Sequence, residues 1–175
     1  MITVDVQDQG VQDALQALSK RVSNMQPILQ AIGEDIKERT KQRFGTSTGP
    51  DGLRWQGNSI ATIQAMLASA RARKGGVLKN GNLSKKVQTG LAGKKLLVDS
   101  GSLARQFHVS ANANSVTVGN SMIYAAIHQF GGKAGKGKKV TIPARPFLPV
   151  KSDGSLYPQE QRLVLDALNA YLTGK

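Results

Sequence analysis

Few residues of this chain are suited to covalent or acid–base chemistry. Cysteine is absent, which excludes disulfides, thiolate nucleophiles and zinc thiolate sites. There are two histidines, His108 and His128, and between Gly52 and Ser152 a single acid, Asp99. A hydrolytic metal site needs several convergent carboxylates or imidazoles, and neither histidine has a ligand partner at useful spacing. Each reads as a packed or hydrogen-bonded side chain, with a pH-sensitive contact as the functional alternative. Ser100 and Ser102 adjoin Asp99, but no Gly-x-Ser-x-Gly elbow surrounds them. Turn formation or helix capping accounts for them. The expectation is a protein that is not an enzyme and holds no metal or cofactor.

The remaining candidates are cationic. Gly131, Gly132, Gly135 and Gly137 interleave with Lys133, Lys136, Lys138 and Lys139. A phosphate-cradling loop follows a strand and opens a helix. Here a helix precedes and a strand follows, so the resemblance to such a loop is weak. Lysines in a loop can still meet phosphates without exact geometry. No aromatic residue interleaves with them, so base stacking is not expected. The net charge is +13, unevenly spread. Residues 1–51 carry seven acids and six bases, and residues 153–175 carry three acids and two bases. Between Gly52 and Ser152 sixteen Lys and Arg face Asp99 alone. Such asymmetry points to an acidic partner, nucleic acid or an acidic protein face, or else to solvated lysine-rich loops. The candidate contacts are Arg71, Arg73, Lys74, Lys85, Lys86, Lys94 and Lys95, then Lys133, Lys136, Lys138 and Lys139, and finally Arg145. Arg145 lies between Pro143 and Pro146, whose rings stiffen the backbone. A pre-positioned guanidinium suits a bidentate pair with a carboxylate, within the subunit or across an interface.

The elements that position these residues follow from periodicity. Residues 1–175 are most simply one domain, long enough to bury a core. Hydrophobic residues make up 39% and aromatics only 5%, so part of the chain is expected in loops or arms. Ile2, Val4 and Val6 alternate as a short strand, and this acid-bearing start is unlike a signal peptide. No apolar run approaches the roughly 20 residues that span a bilayer, so no membrane role is expected. Val11, Leu15, Leu18, Val22, Met25, Leu29, Ile32 and Ile36 form one apolar stripe, predicting a helix from Gly10 to Phe44. Pro27 predicts a kink or break near Asn24–Gln26. The stripe suits packing on the domain's own sheet or a coiled-coil seam. Trp55, after the turn-rich 46–52, reads as a core plug at the helix end, with base stacking as the alternative. Residues 58–73 read as a second helix capped by Asn58 or Ser59. Residues 71–95, with eight bases, five glycines and no acid, read as a basic loop or arm, ordered by a partner.

Leu96 to Val98 read as a strand end or buried turn, followed by a short helix through Gln106. Phe107 to Val118 alternate around Asn112–Asn114, predicting a β-hairpin. Ile123 to Phe130 form a short helix stopped by Gly131 and Gly132. Tyr124 and His128, four apart, meet on one side of it, and Tyr124, His128 and Phe130 are expected mainly in the core. Residues 133–139 form a basic loop before a strand at Val140–Ile142, and Pro143 and Pro146 exclude a central strand running on to Phe147. An amphipathic C-terminal helix covers 157–173. The fold class is therefore α+β: a small antiparallel sheet packed by a long N-terminal helix and a C-terminal helix, with long basic loops.

Five blocks in order carry a family resemblance: Gly49-Pro-Asp-Gly-Leu-Arg-Trp55, Leu97-Val-Asp-Ser-Gly-Ser-Leu103, Val116-Thr-Val-Gly119, Tyr124-Ala-Ala-Ile-His-Gln-Phe-Gly-Gly132 and Ile142-Pro-Ala-Arg-Pro-Phe-Leu148. Their order resembles the phage virion morphogenesis family, which takes in Mu G protein-like and P2-like tail completion proteins. The resemblance covers most of the chain up to Leu148, and about 72–95 departs from it as an insertion or arm. It implies a non-enzymatic structural protein at the head–tail junction of a tailed phage, assembled in the host cytoplasm. By analogy with tail terminators, it implies a ring of copies of this chain that meets the tail tube protein and the head connector or neck proteins, with non-specific contact to packaged DNA. Trp55, Tyr124, His128, Phe130, Gly131, Gly132, Pro143, Pro146 and Phe147 are then motif residues that build the scaffold.

Overall fold

A computed structural model describes residues 8–174. In chain order it holds α1 (Gln9–Val22), α2 (Gln26–Thr46), α3 (Ile60–Ala72), α4 (Lys85–Ala92), α5 (Ser102–Arg105), β1 (Phe107–Ala111), β2 (Val116–Asn120), α6 (Ala125–Phe130), β3 (Gly132–Ala134), a 3-10 turn (Lys136–Lys138), β4 (Val140–Ile142) and α7 (Pro158–Thr173). The strand expected over Ile2–Val6 lies outside the described residues. The helix expected over Gly10–Phe44 is two helices, broken where Pro27 predicts. Pro27 stands in the first turn of α2, where its missing N–H costs nothing.

The apolar stripe divides at that break. Its second half buries Ile32 and Ile36, and α2 lies across the β1–β2 hairpin. Gly33 sets the closeness of this packing. A Cβ there would come within 2.5 Å of Val109 Cγ1 and 2.6 Å of Val116 Cγ2. A glycine inside a helix costs about 1 kcal/mol relative to alanine, and close approach to the hairpin is the compensating gain. The first half of the stripe stays exposed, since no residue of α1 is buried. Among the described residues α1 is pinned at its C-terminal end, where Arg21 Nη1 donates to the Leu172 carbonyl (3.0 Å) and, just beyond it, Tyr171 Oη donates to the Asn24 carbonyl (2.7 Å).

The α+β class holds, with the sheet in two separate antiparallel ribbons, β1–β2 and β3–β4. The hairpin pairs Phe107 with Asn120 through Ala111 with Val116. β3 is an addition to the expected plan. It pairs Gly132–Ala134 with Val140–Ile142, so the basic loop of 133–139 is the turn of a hairpin. The arm expected over 71–95 is also partly folded. Val77 bridges Leu83, and Lys85–Ala92 form a helix.

The core gathers Phe44, Trp55, Leu103, Phe107, Ala125 and Phe147. Phe44 is its hub, with ring centroids 5.5 Å from Trp55, 6.1 Å from Phe107 and 5.3 Å from Phe147. Leu96, Leu97 and Val98 pack against it from a turn. α7 is tied to α2 by charge. Glu160, buried near the start of α7, accepts from Arg43 and, at 2.9 Å, from Arg39 Nη2. Removing one member of a buried pair strands the other charge. Glu160→Gln is expected to cost about 3 kcal/mol of unfolding free energy by urea titration, whereas alanine at Asp35, the exposed partner of Arg39, falls within about 1 kcal/mol.

Candidate functional site

The chain from Pro143 to Val150 carries three of the motif residues, Pro143, Pro146 and Phe147, and it alternates between buried and half-buried positions without being a strand, apart from the exposed Ala144. Buried backbone groups must find partners, and side chains supply them. Gln129, 3% exposed on α6, uses its whole amide. Its Oε1 accepts from the N–H groups of Phe147 and Leu148 (2.9 Å each), and its Nε2 donates to the carbonyls of Leu148 (3.1 Å) and Val150 (3.0 Å). Trp55 Nε1 donates to the Pro146 carbonyl (2.9 Å) and Arg43 Nη1 to the Phe147 carbonyl (2.8 Å). Trp55 is thus a core plug at the end of α2.

Arg145 corrects its expectation. Its partners are not carboxylates. Nε donates to the Gln56 carbonyl (2.8 Å), and Nη2 to the Gly57 carbonyl (2.8 Å) and Asn58 Oδ1 (3.2 Å). Its own N–H donates to the His128 carbonyl at 2.8 Å. The guanidinium fork therefore fastens the segment before α3 to the proline-stiffened stretch. Gly131 is also structural: at φ 74°, a conformation that favours glycine, it ends α6, and a Cβ there would meet the Ala144 nitrogen at 2.9 Å.

Beside this locked backbone opens a cleft of about 630 Å³, between the start of α3, the 94–103 turn, α6 and β4. Tyr124 and His128 line it, ring centroids 6.0 Å apart and edge to face, as their spacing predicts. They are not core residues, and neither is Phe130. Tyr124 is 38% exposed and Phe130 48%, while His128 is half-buried. The reason is that α6 is short and buries Ala125 and Gln129 instead. Burial, with Arg145 nearby, holds the His128 imidazole below its ordinary pKa, and its buried Nδ1 has no hydrogen-bond partner among the described residues. On the rim Lys94 pairs with Asp99 at 2.7 Å and lowers that carboxyl's pKa. Ser100 and Ser102 bond each other's hydroxyls at 2.7 Å, in the turn that opens α5, so they form local structure.

The predicted basic contacts divide by place. Lys94, Lys95 and Arg145 share the cleft. Arg71, Arg73 and Lys74 follow one another through the end of α3, and Lys85 and Lys86 open α4. Two cations in a first turn oppose the helix dipole, so stability does not account for them. Lys133, Lys136, Lys138 and Lys139 ring the β3–β4 turn, all exposed. Among the described residues no group of His, Asp and Glu could hold a metal ion, and no helix is long and apolar enough to cross a membrane.

Sequence reasoning missed Gln129, Arg43 and Glu160. Gln129 stands between the two residues it did choose, His128 and Phe130, and a polar residue on the inner side of a short helix was the available signal. Arg43 and Glu160 carried none, because only the fold brings them together. Gln129→Leu keeps the side-chain volume but orphans four buried or part-buried backbone groups. At about 1–3 kcal/mol each, it is expected to cost 3 kcal/mol or more, read as a fall in the urea midpoint. The depressed His128 pKa also fixes a pH dependence. The fold favours neutral imidazole, so its contribution is complete above the ordinary value of about 6.5 and is lost as pH falls through the lower folded-state value. Urea midpoints should therefore fall from pH 7.5 to 5, and His128→Gln should flatten that part of the profile.

The chain matches the phage virion morphogenesis family over residues 6–173. It is similar to the Mu-like prophage FluMu G protein 2 of Haemophilus influenzae, 47% identical over 75 residues. That alignment takes in 43% of this chain and 50% of the relative, so the chain spans about half the length of the relative it matches. No solved structure matches the chain. With residues 6–173 matched, the chain belongs to the phage virion morphogenesis family and is a structural or assembly protein of phage virions.

Proposed function

We propose that this protein is a ring subunit at the head–tail junction of a tailed phage, which caps the tail and joins it to the head connector. One observation carries the reading. Trp55, Arg145 and Phe147 are spent inside the fold, on carbonyls and aromatic packing, while large apolar side chains stay outside it. Ile123 is 99% exposed, Ile60 76% and Leu15 61%. Contiguous exposed apolar surface marks faces that neighbours cover, and Val11, Leu15, Leu18 and Val22 line up along one face of α1. Further copies of the chain, the tail tube protein and the head connector or neck proteins are the partners.

The lysines of the β3–β4 turn favour a second reading, a nucleic-acid-binding protein, because they are exposed and make no ion pair among the described residues. The two separate in one experiment. Deleting the gene should leave DNA-filled heads beside separate tails by electron microscopy, and complementation with Lys133, Lys136, Lys138 and Lys139 all changed to Gln should restore joined particles. Normal particles from the deletion overturn the ring reading. Joined particles lost only in the Gln variant, together with loss of a steeply salt-dependent affinity for duplex DNA, favour the second.

A further inference from the structure

α1 is anomalous as a helix. It has 14 residues and none is buried. Isolated helices of about 12–15 residues are marginal in water, and packing of an apolar face is what usually holds them. Val11, Leu15, Leu18 and Val22 supply such a face at spacings of four, three and four, and they are 48%, 61%, 41% and 54% exposed. The ridge is roughly 16 Å long at 1.5 Å per residue. α1 cannot fold back freely, because Arg21 and Asn24 are bonded to the last turns of α7. The helix therefore stands out with its apolar face open.

The cleft beside His128 is complementary. Its floor and walls include Met66, Val98, Tyr124, Val140 and Ile142, and Val140 is 53% exposed. The charges at the first half of α1 are complementary as well, Lys20 and Arg21 standing at its other end. Asp8 caps α1 and Asp13 follows in its second turn, while Lys94 and Lys95 stand on the rim of the cleft. An amphipathic helix laid in an apolar groove, with polar flanks matched, is a recurrent mode of recognition.

We propose that α1 of one copy docks, apolar ridge inward, in the cleft of the next copy, with Asp13 beside Lys95. The ridge and the groove are different surfaces, so the contact is head-to-tail and generates a ring where the rotation closes. This docking rests on the ring of the proposed function and names the contact that builds it.

The absence of cysteine makes the test direct. Leu15→Cys and Thr141→Cys are prepared as separate proteins, mixed, allowed to assemble and oxidised. A disulfide between the two variants is expected, and neither variant alone should cross-link. Leu15→Cys cross-linking to itself, or no cross-link in assembled material, overturns the docking. In parallel, Leu15→Asp/Leu18→Asp should weaken assembly by roughly tenfold or more, as two buried leucines are lost, with circular dichroism showing an unchanged fold. Asp13→Lys should weaken it too, and Lys95→Glu in the same chain should restore it. Rings that survive Leu15→Asp/Leu18→Asp overturn this docking and leave the ring reading standing. A wild-type protein that stays monomeric by mass overturns both.

Discussion

A stretch of backbone that is buried but cannot join a sheet governs this structure. Pro143 and Pro146 deny the segment a strand's hydrogen bonds, yet Phe147, fully buried, holds it at the centre of the aromatic core. Its carbonyls and N–H groups are satisfied by side chains that come from elsewhere: Gln129 from α6, Trp55 from the segment after α2, Arg43 from α2. Each of those side chains must be placed to within hydrogen-bond distance, so each of those elements is fixed relative to the segment. The Glu160 ion pair follows from the same constraint. Arg43 is buried by its bond to the Phe147 carbonyl, and a buried guanidinium needs a counter-charge.

The elements were largely legible in the sequence, because periodicity and turn chemistry are local. The break before Pro27, the Asn112–Asn114 turn of the hairpin, the glycine stop after Phe130 and the proline start of α7 all stand where residue types put them. Pairing between distant residues was not legible. β3 is three residues of Gly-Lys-Ala, with no alternation to announce a strand, and it exists because β4 lies opposite. Lys85–Ala92 form a helix in a stretch whose glycines and lysines read as an arm. Arg145 stands out in the sequence by its flanking prolines, but its partners are the Gln56 and Gly57 carbonyls and Asn58 Oδ1 of a loop, which carry no sequence signature. Tyr124 and Phe130 read as core because they are aromatic, and α6 is too short to bury both its faces.

Family membership and surface chemistry answer different questions in this molecule. The blocks that identify the family lie mostly in the scaffold: Trp55, Leu103, Phe147, Arg145 and the Gly131 turn. What distinguishes the outside is the exposed apolar side chains of α1, α3 and the approach to α6, and the lysines set at the ends of helices and in the β3–β4 turn. Inside the fold, the polar side chains of Gln129, Arg43, Trp55 and Arg145 are spent on backbone groups.

The long-range ties have a consequence for the order of events during synthesis. Arg43 waits for Phe147, 104 residues later, and for Glu160, 117 residues later. Trp55 waits for Pro146, 91 residues later. Helices can form as the chain emerges, but contacts so distant in sequence form only when the loop between them has closed. The aromatic core is therefore completed only after Phe147 has left the ribosome, and until then Phe44 and Phe107 lack that partner; the buried ion pair waits longer, for residue 160. The exposed apolar faces of α1, α3 and the approach to α6 thus reach fixed geometry only after residue 160 has been made.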